Sequence, residues 1–134
     1  MRAIALIAAL LFALVSSAAA DDVGAAQDVI RAQEQAFSRD DAASAYSYAA
    51  PAIREIFPAP DIFMSMVQNQ YAPVYRHRSF EFGAVQSDGD RIAQRVHIVD
   101  ANGEAWEALY TLERQADGSL KITGCSLLKA GQAV

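Results

Sequence analysis

The hydrophobic positions of this chain follow two periods, a helical one in the first half and an alternating one in the second half. Across residues 25–38, Ile30, Gln33 and Phe37 recur every three or four positions, which predicts an amphipathic helix. From residue 78 onwards apolar and polar residues alternate, which is typical of strands with one buried face. The pattern therefore predicts an α+β domain in which N-terminal helices pack on a sheet.

Acidic residues and prolines divide the rest of the first half into short helices. Asp40 and Asp41 provide a stop for the first helix and a candidate N-cap for a second. Pro51 suits the first position of a third, short helix. Asp61 can cap a fourth helix, and Pro73 is expected to end it.

Three turn-forming dipeptides divide the second half into four strands: Asp88-Gly89, Asn102-Gly103 and Asp117-Gly118. The strands are predicted at residues 78–86, 90–100, 104–115 and 119–129. Because short turns join consecutive strands, we expect a four-stranded antiparallel meander.

The need to keep core residues on one face predicts the register of these strands. A two-residue loop at Asp117-Gly118 would place Leu112 opposite Thr123, whereas a three-residue loop places Leu112 opposite Ile122. Three-residue loops at all three turns give an apolar face of Phe80, Phe82, Ala84, Ile92, Val96, Ile98, Trp106, Leu112, Leu120 and Ile122. The other face then pairs opposite charges, namely Glu81 with Arg95, Arg91 with Glu113, and His97 with Glu107.

The first twenty residues form a pattern of their own. Arg2 precedes an apolar run over residues 3–15, and small residues follow it as far as Ala20. This is typical of a secretory signal peptide cleaved after Ala20, and the apolar run is shorter than the roughly 20 residues that span a bilayer. We expect a signal peptide at 1–20 and a single domain at 21–134, with a core at about 25–129. The mature protein would be periplasmic or secreted, with no stable membrane anchor.

Charge and cysteine content narrow the possible partners. The chain carries 16 acidic and 11 basic residues, a net charge of −5, and has no basic run. This excludes a typical nucleic-acid-binding surface. Cys125 is the single cysteine, so the domain depends on packing rather than on an internal disulfide. The cysteine is expected either to be buried or to be available to another molecule.

Several short motifs resemble those of a known family. They are Ile30-x-x-Gln33-x-x-Ala36-Phe37, Ala49-Ala50-Pro51-x-Ile53, Tyr71-x-Pro73-Val74-Tyr75, Trp106-x-Ala108-x-Tyr110-x-Leu112 and Ile122-x-Gly124-Cys125. In these motifs the chain is similar to the domain of unknown function 4864 family of exported bacterial proteins. Leu120 departs from the Trp expected there. The order of helices and sheet also resembles the nuclear transport factor 2-like (cystatin-like) cone fold. The family has no established activity, so the resemblance implies no catalytic residue.

The predicted register leaves a gap on the apolar face of the sheet. Small residues would leave room there beside the hydrogen-bonding groups of Gln94 and Tyr110. The candidate ligand-binding residues are Gln94, Tyr110, Gly124, Ser126, Ala108 and Phe82. In the alternative interpretation, Gly124 admits a closely packed helix, and the two polar side chains satisfy each other or the end of a helix.

The other face of the predicted sheet carries an apolar patch. There Leu109 would lie opposite Cys125, with Leu127 beside them. Such a patch could join two copies of the chain in a homodimer or bind another partner. The alternative is simple exposure, or cover by a chain terminus.

Acid–base and metal chemistry find little support in the sequence. His97 is predicted on the outer face and His77 at the edge of the sheet, while Asp40 and Asp41 are explained by capping. No His, Cys or carboxylate cluster has metal-ligand spacing, and no phosphate loop or nucleophile motif is present. The sequence predicts no catalytic residue, metal or cofactor.

Three functions follow from these observations. The leading hypothesis is a non-catalytic exported module that binds a small apolar ligand or a protein partner. The second is a small isomerase, dehydratase or hydrolase in which Tyr110 and Gln94 donate hydrogen bonds to a developing oxyanion. The third is a structural envelope subunit that dimerises through the sheet.

Overall fold

A computed structural model describes the backbone of residues 2–131 and the side chains of residues 20–131. Helices precede strands in this range, as predicted. The helices are α1 (Arg2–Ser38), α2 (Ala42–Ser47), α3 (Pro51–Ile56), α4 (Pro60–Gln70) and α5 (Ala72–Tyr75). The strands are β1 (His77–Asp88), β2 (Arg91–Asp100), β3 (Ala105–Arg114) and β4 (Leu120–Lys129). The predicted signal peptide falls on residues whose side chains, apart from that of Ala20, lie outside the described part.

The end of α1 depends on the two aspartates that the sequence singled out. Asp40 takes a left-handed conformation, with φ of 56°. The amide of Asp41 donates to the carbonyl of Ala36 at 2.9 Å, which closes the last turn of the helix. The Asp41 carboxylate then accepts a hydrogen bond from the Ser44 amide at 3.1 Å and caps α2. One dipeptide thus ends a helix and begins the next, as predicted.

A proline lies in the first turn of each of the short helices α3, α4 and α5. Pro51 lies in the first turn of α3, as predicted. Pro60 rather than Asp61 opens α4, and Pro73 lies in the first turn of α5. Because the first turn of a helix needs no amide donor, proline is tolerated at each of these positions. α4 ends at Gln70, three residues before Pro73, so Pro73 follows the end of α4 as expected and also lies in α5.

The four strands form an antiparallel sheet in the order β1-β2-β3-β4, the predicted meander. The predicted register of β2 and β3 is confirmed throughout, with Gln94 opposite Tyr110 and Val96 opposite Ala108. Gly103 provides the positive φ, 84°, that the connecting turn requires.

A bulge changes the predicted pairing of β1 with β2. Phe82 lies opposite Val96 rather than Gln94, and the register shifts between Phe82 and Val85. Glu81 consequently faces His97 rather than Arg95. The predicted three-residue turn is also wrong here, because Asp88 pairs directly with Arg91. The bulge turns Ala84 out of the apolar face, and its side chain is exposed.

A second bulge lies between β3 and β4. Leu112 opposes Ile122 as predicted, but Thr111 then opposes Gly124. From that point the register differs by one residue, so Cys125 pairs with Tyr110 and Leu127 with Ala108. A shift of one residue exchanges the two faces of a strand. In the last part of β4, the side chains predicted to face the helices therefore face outward, and those predicted to face outward face the helices.

The core lies between α1 and the concave side of the sheet. It joins α1 to the shorter helices through Ala26, Ile30, Phe37, Phe63 and Val67. The segment between α2 and α3 also pairs with β4, since the Ala50 amide donates to the Ile122 carbonyl at 2.8 Å. In the part of the chain searched, no helix combines the length and apolar character needed to cross a membrane.

Candidate ligand-binding site

A cavity of about 240 Å³ lies between the helices and the part of the sheet formed by β3 and β4. Every helix of the domain except α2 contributes to its wall, and the sheet forms its floor. The lining residues include Phe37, Ile53, Phe57, Phe63, Met66, Val67 and Val74 from the helical side, and Tyr110, Ile122, Gly124 and Cys125 from the sheet.

An aromatic cluster holds the helical wall in place. The ring centroids of Phe37 and Phe63 are 6.3 Å apart and those of Phe57 and Phe63 are 6.4 Å apart. The Tyr46 hydroxyl donates to the Phe57 carbonyl at 2.6 Å, which fixes the link between α3 and α4. Packing and one directed hydrogen bond therefore set the shape of this wall.

Gln33 is a deeply buried polar residue of the cavity lining, with 4% of its surface exposed. Its Nε2 amide donates to the Ala45 carbonyl at 3.2 Å, which determines the orientation of the side-chain amide. Its carbonyl oxygen Oε1 has no hydrogen-bond partner among the described residues. Among the described residues, every side-chain nitrogen or oxygen that is fully enclosed has a hydrogen-bond partner. Because Oε1 has none, it is not fully enclosed, and it is accessible from the cavity that Gln33 lines.

Tyr110 and Cys125 face one another on the floor of the cavity. Burial raises the pKa of the Tyr110 hydroxyl well above its usual value of 10.0. Burial also raises the pKa of the Cys125 thiol to about 12, although its hydrogen bond with Tyr110 acts in the opposite direction. Both groups are therefore neutral at pH 7. None of the described residues that line the cavity carries a charged side chain.

Comparison with known protein families matches residues 19–133 to the family model Domain of unknown function (DUF4864). The chain belongs to this family. No curated protein matches it.

Among solved structures, the domain is similar to an NTF2-like protein of unknown function from Burkholderia pseudomallei. The two are 11% identical, with a TM-score of 0.42, and the match covers 77% of this chain and 88% of that one.

Within this DUF4864 domain, Gln94 lies opposite Tyr110 as predicted, but its side chain does not line the cavity. It is fully buried, and its Oε1 accepts a hydrogen bond from Gln27 at 3.0 Å. Its Nε2 donates to the carbonyls of Gly83 and Arg95, at 3.0 and 2.8 Å. The amide therefore links α1 to the bulge of β1, and its partners are neither Tyr110 nor the end of a helix.

The other predicted ligand-binding residues are dispersed. Tyr110 and Gly124 line the cavity, whereas Ala108 is fully buried outside its lining. Phe82 lies beneath the guanidinium of Arg31, 4.7 Å from ring centroid to Cζ. Ser126 is exposed, because the second bulge places it opposite Leu109 and not beside Ala108.

The predicted apolar patch on the outer face does not form with its three expected members. Leu109 remains there, but Cys125 and Leu127 pack against the core on the helical side. The bulge at Thr123 and Gly124 is the physical reason. Leu128, the residue after Leu127, lies on the outer face instead and is 47% exposed.

His77 participates in an ion-pair cluster at the start of β1. Its Nε2 lies 2.5 Å from Glu34 Oε2, and its Nδ1 lies 3.0 Å from the Pro73 carbonyl. The other carboxylate oxygen of Glu34 accepts from Arg31. The cluster joins α1 to α5 and β1 but does not line the cavity. No group of three or more potential metal ligands occurs in the part of the chain searched.

Sequence reasoning missed Gln33 and Cys125 as residues of the site. A signal for Gln33 was available, since it interrupts an otherwise apolar helical face at a position expected to be buried. The signal for Cys125 was a change of phase, since the apolar residues Leu120 and Ile122 are followed by Cys125 and Leu127.

Proposed function

We propose that this domain is a non-catalytic binding module that holds a small, apolar ligand between its helices and its sheet. The observation that carries the proposal is the cavity itself, which has an aromatic and aliphatic wall and no charged side chain among its described lining residues. Ligand sites typically combine such walls with a few polar groups. A volume of about 240 Å³ is below the roughly 300–1,000 Å³ of typical ligand pockets, so the ligand is small.

The catalytic alternative receives less support. It requires Gln94 and Tyr110 to donate hydrogen bonds to a reacting atom. The Gln94 amide is instead bonded to backbone carbonyls of β1 and β2 and does not line the cavity. An envelope subunit that dimerises through the sheet remains a hypothesis, with Leu109 and Leu128 as its apolar contacts.

We also propose that the domain works in the periplasm or outside the cell, after cleavage behind Ala20. Asp21 and Asp22 would then begin α1, where acidic residues favour the helix dipole. Asp22 also pairs with Arg114 of β3 at 2.8 Å, a contact that would anchor the new helix start to the sheet.

Methionine methyl groups provide a direct test of ligand binding. Met66 lines the cavity, whereas Met64 is buried on the same helix outside the lining. We expect titration of the methyl-¹³C-methionine-labelled full chain with naphthalene to shift the Met66 methyl resonance saturably and the Met64 resonance much less.

Two tryptophan substitutions on α3 form a matched pair for this test. Ile53 lines the cavity, whereas Ile56 is 70% exposed and does not. Ile53→Trp should fill the space and weaken naphthalene binding at least about tenfold, while Ile56→Trp should leave it unchanged. Circular dichroism would verify that both variants fold. Absence of a saturable shift in the unmodified chain, or equal binding by a folded Ile53→Trp variant, would contradict the proposed function.

A further inference from the structure

We infer that the ligand of this cavity is an uncharged molecule with an apolar body and one hydrogen-bond donor, a hydroxyl or N–H group, that binds the side-chain oxygen of Gln33. This inference rests on the proposed function and specifies the chemical class of the ligand.

The first step is the fixed direction of the Gln33 amide. Its Nε2 is held by the Ala45 carbonyl at the start of the shorter helices, so the amide cannot turn over without losing that bond. The group facing the cavity is consequently Oε1, which accepts hydrogen bonds and cannot donate them. A ligand carbonyl or ether would find no donor at this position.

The second step concerns the remaining polar groups. Tyr110 pairs with Cys125 across β3 and β4, and burial keeps both side chains neutral at pH 7. Gln70 is exposed and Tyr71 half-buried, which places both nearer to solvent than Gln33. Gln33 Oε1 is a deeply buried acceptor without a partner among the described residues. Such an acceptor is unfavourable until a donor reaches it.

The third step excludes a charged ligand. No described residue of the lining bears a charge that could pair with a carboxylate, phosphate or ammonium group. A charge brought into this apolar space would lose its hydration without compensation. Glu34 is near enough to Tyr110 to raise the pKa of its hydroxyl, but its carboxylate is already paired with Arg31 and His77.

Three probes of one shape test the inference: 2-naphthol, which has a donor, 2-methoxynaphthalene, which has only an acceptor, and 2-naphthoate, which is charged. For the full chain at pH 7, we expect 2-naphthol to bind about fivefold to tenfold more tightly than 2-methoxynaphthalene, the ratio expected of one hydrogen bond. We expect 2-naphthoate to bind most weakly. The Met66 methyl resonance measures all three affinities.

Two glutamine variants connect this preference to one atom. Gln33→Met retains the length of the side chain but removes the acceptor, and should abolish the preference for 2-naphthol. Gln70→Met makes the same change at the exposed end of the cavity and should preserve it. If Gln33→Met does not fold, the same question can be tested in the unmodified chain by following the side-chain amide resonance of Gln33 during titration. That resonance should shift with 2-naphthol and not with 2-methoxynaphthalene.

The outcomes separate the two proposals. Equal affinities for 2-naphthol and 2-methoxynaphthalene would overturn the role of Gln33 while leaving an apolar binding site. Tighter binding of 2-naphthoate would overturn the inference of a neutral ligand. Failure of every probe, naphthalene included, to bind saturably would overturn the proposed function itself.

Discussion

Cys125 shows how strongly the surroundings of one side chain determine its chemistry. Its thiol lies against Tyr110 on the floor of the cavity, and burial raises its pKa from 9.0 to about 12. Because the thiolate is the reactive form, the folded protein contains an inert cysteine at neutral pH. A residue that could have joined two chains instead contributes to packing.

We predict that Cys125 reacts with a disulfide reagent such as 5,5′-dithiobis(2-nitrobenzoate) at least about tenfold more slowly in the folded chain than in urea at pH 8. Absorbance of the released thiolate measures both rates. Tyr110→Phe should slow the folded reaction further if access is unchanged, since it removes the hydrogen bond that lowers the thiol pKa. Equal rates in the folded and unfolded chains would contradict burial of the thiol.

The same pKa shift predicts how stability depends on pH. Below pH 9 the thiol is neutral in both states and contributes no pH dependence. Between pH 9 and about 12 it ionises in the unfolded chain first, so the free energy of unfolding should fall as the pH rises. Urea unfolding at several pH values measures this fall, and it should be smaller in Cys125→Ala.

Among the secondary-structure elements, α1 and the two bulged strands determine where the site lies. α1 brings Gln33 and Phe37 to the cavity, and it also reaches the bulge of β1 through the Gln27–Gln94 hydrogen bond. Glu34 joins the same helix to His77 at the start of β1. One helix thus connects the open edge of the sheet to the cavity.

We predict that Gln94→Leu lowers the free energy of unfolding by about 2–3 kcal/mol, because it leaves buried carbonyls of the bulge and the Gln27 amide without their partner. Urea denaturation measures the loss. Gln86→Leu, at an exposed position of β1, which pairs with the β2 strand of Gln94, is the matched control and should have little effect. An unchanged stability for Gln94→Leu would show that its hydrogen bonds do not hold the bulge.

In the described part of the domain, the charged side chains lie outside the lining of the cavity. The cluster of Arg31, Glu34 and His77 lies between α1 and β1, whereas the cavity lies on the side of β3 and β4. The caps and turns hold other carboxylates, such as Asp41 and Asp100. Among the described residues of the lining, the titratable groups are the Tyr110 hydroxyl and the Cys125 thiol, and burial raises the pKa of both.

Export is the prediction that concerns the whole chain. Expressed in a Gram-negative bacterium, the protein should be recovered from the periplasm or medium with Asp21 as its first residue, as N-terminal sequencing would show. Ala20→Arg should prevent cleavage, because the processing enzyme requires a small residue there. Ala25→Arg, beyond the cleavage site at an exposed position, should be processed normally. Recovery of an uncleaved, cytoplasmic chain would contradict the proposal.

The sequence alone was enough to predict the order of the elements. The buried spacing of Ile30, Gln33 and Phe37, the Asp40-Asp41 junction and the glycine turns are local signals, and each produces a helix, a cap or a turn through local sterics and hydrogen bonds. For the same reason the pairing of β2 with β3 could be predicted, since its turn is short and its strands contain no bulge.

Only the tertiary structure decided which side chains form the site. An extra residue at Thr123 and Gly124 turns Cys125 inward and Ser126 outward. The bulge lies beside Ile122, which also pairs with Ala49 of the helical half. The free oxygen of Gln33 likewise depends on a carbonyl twelve residues away, at Ala45. Local periodicity predicts faces, but long-range contacts determine register, and register determines the cavity.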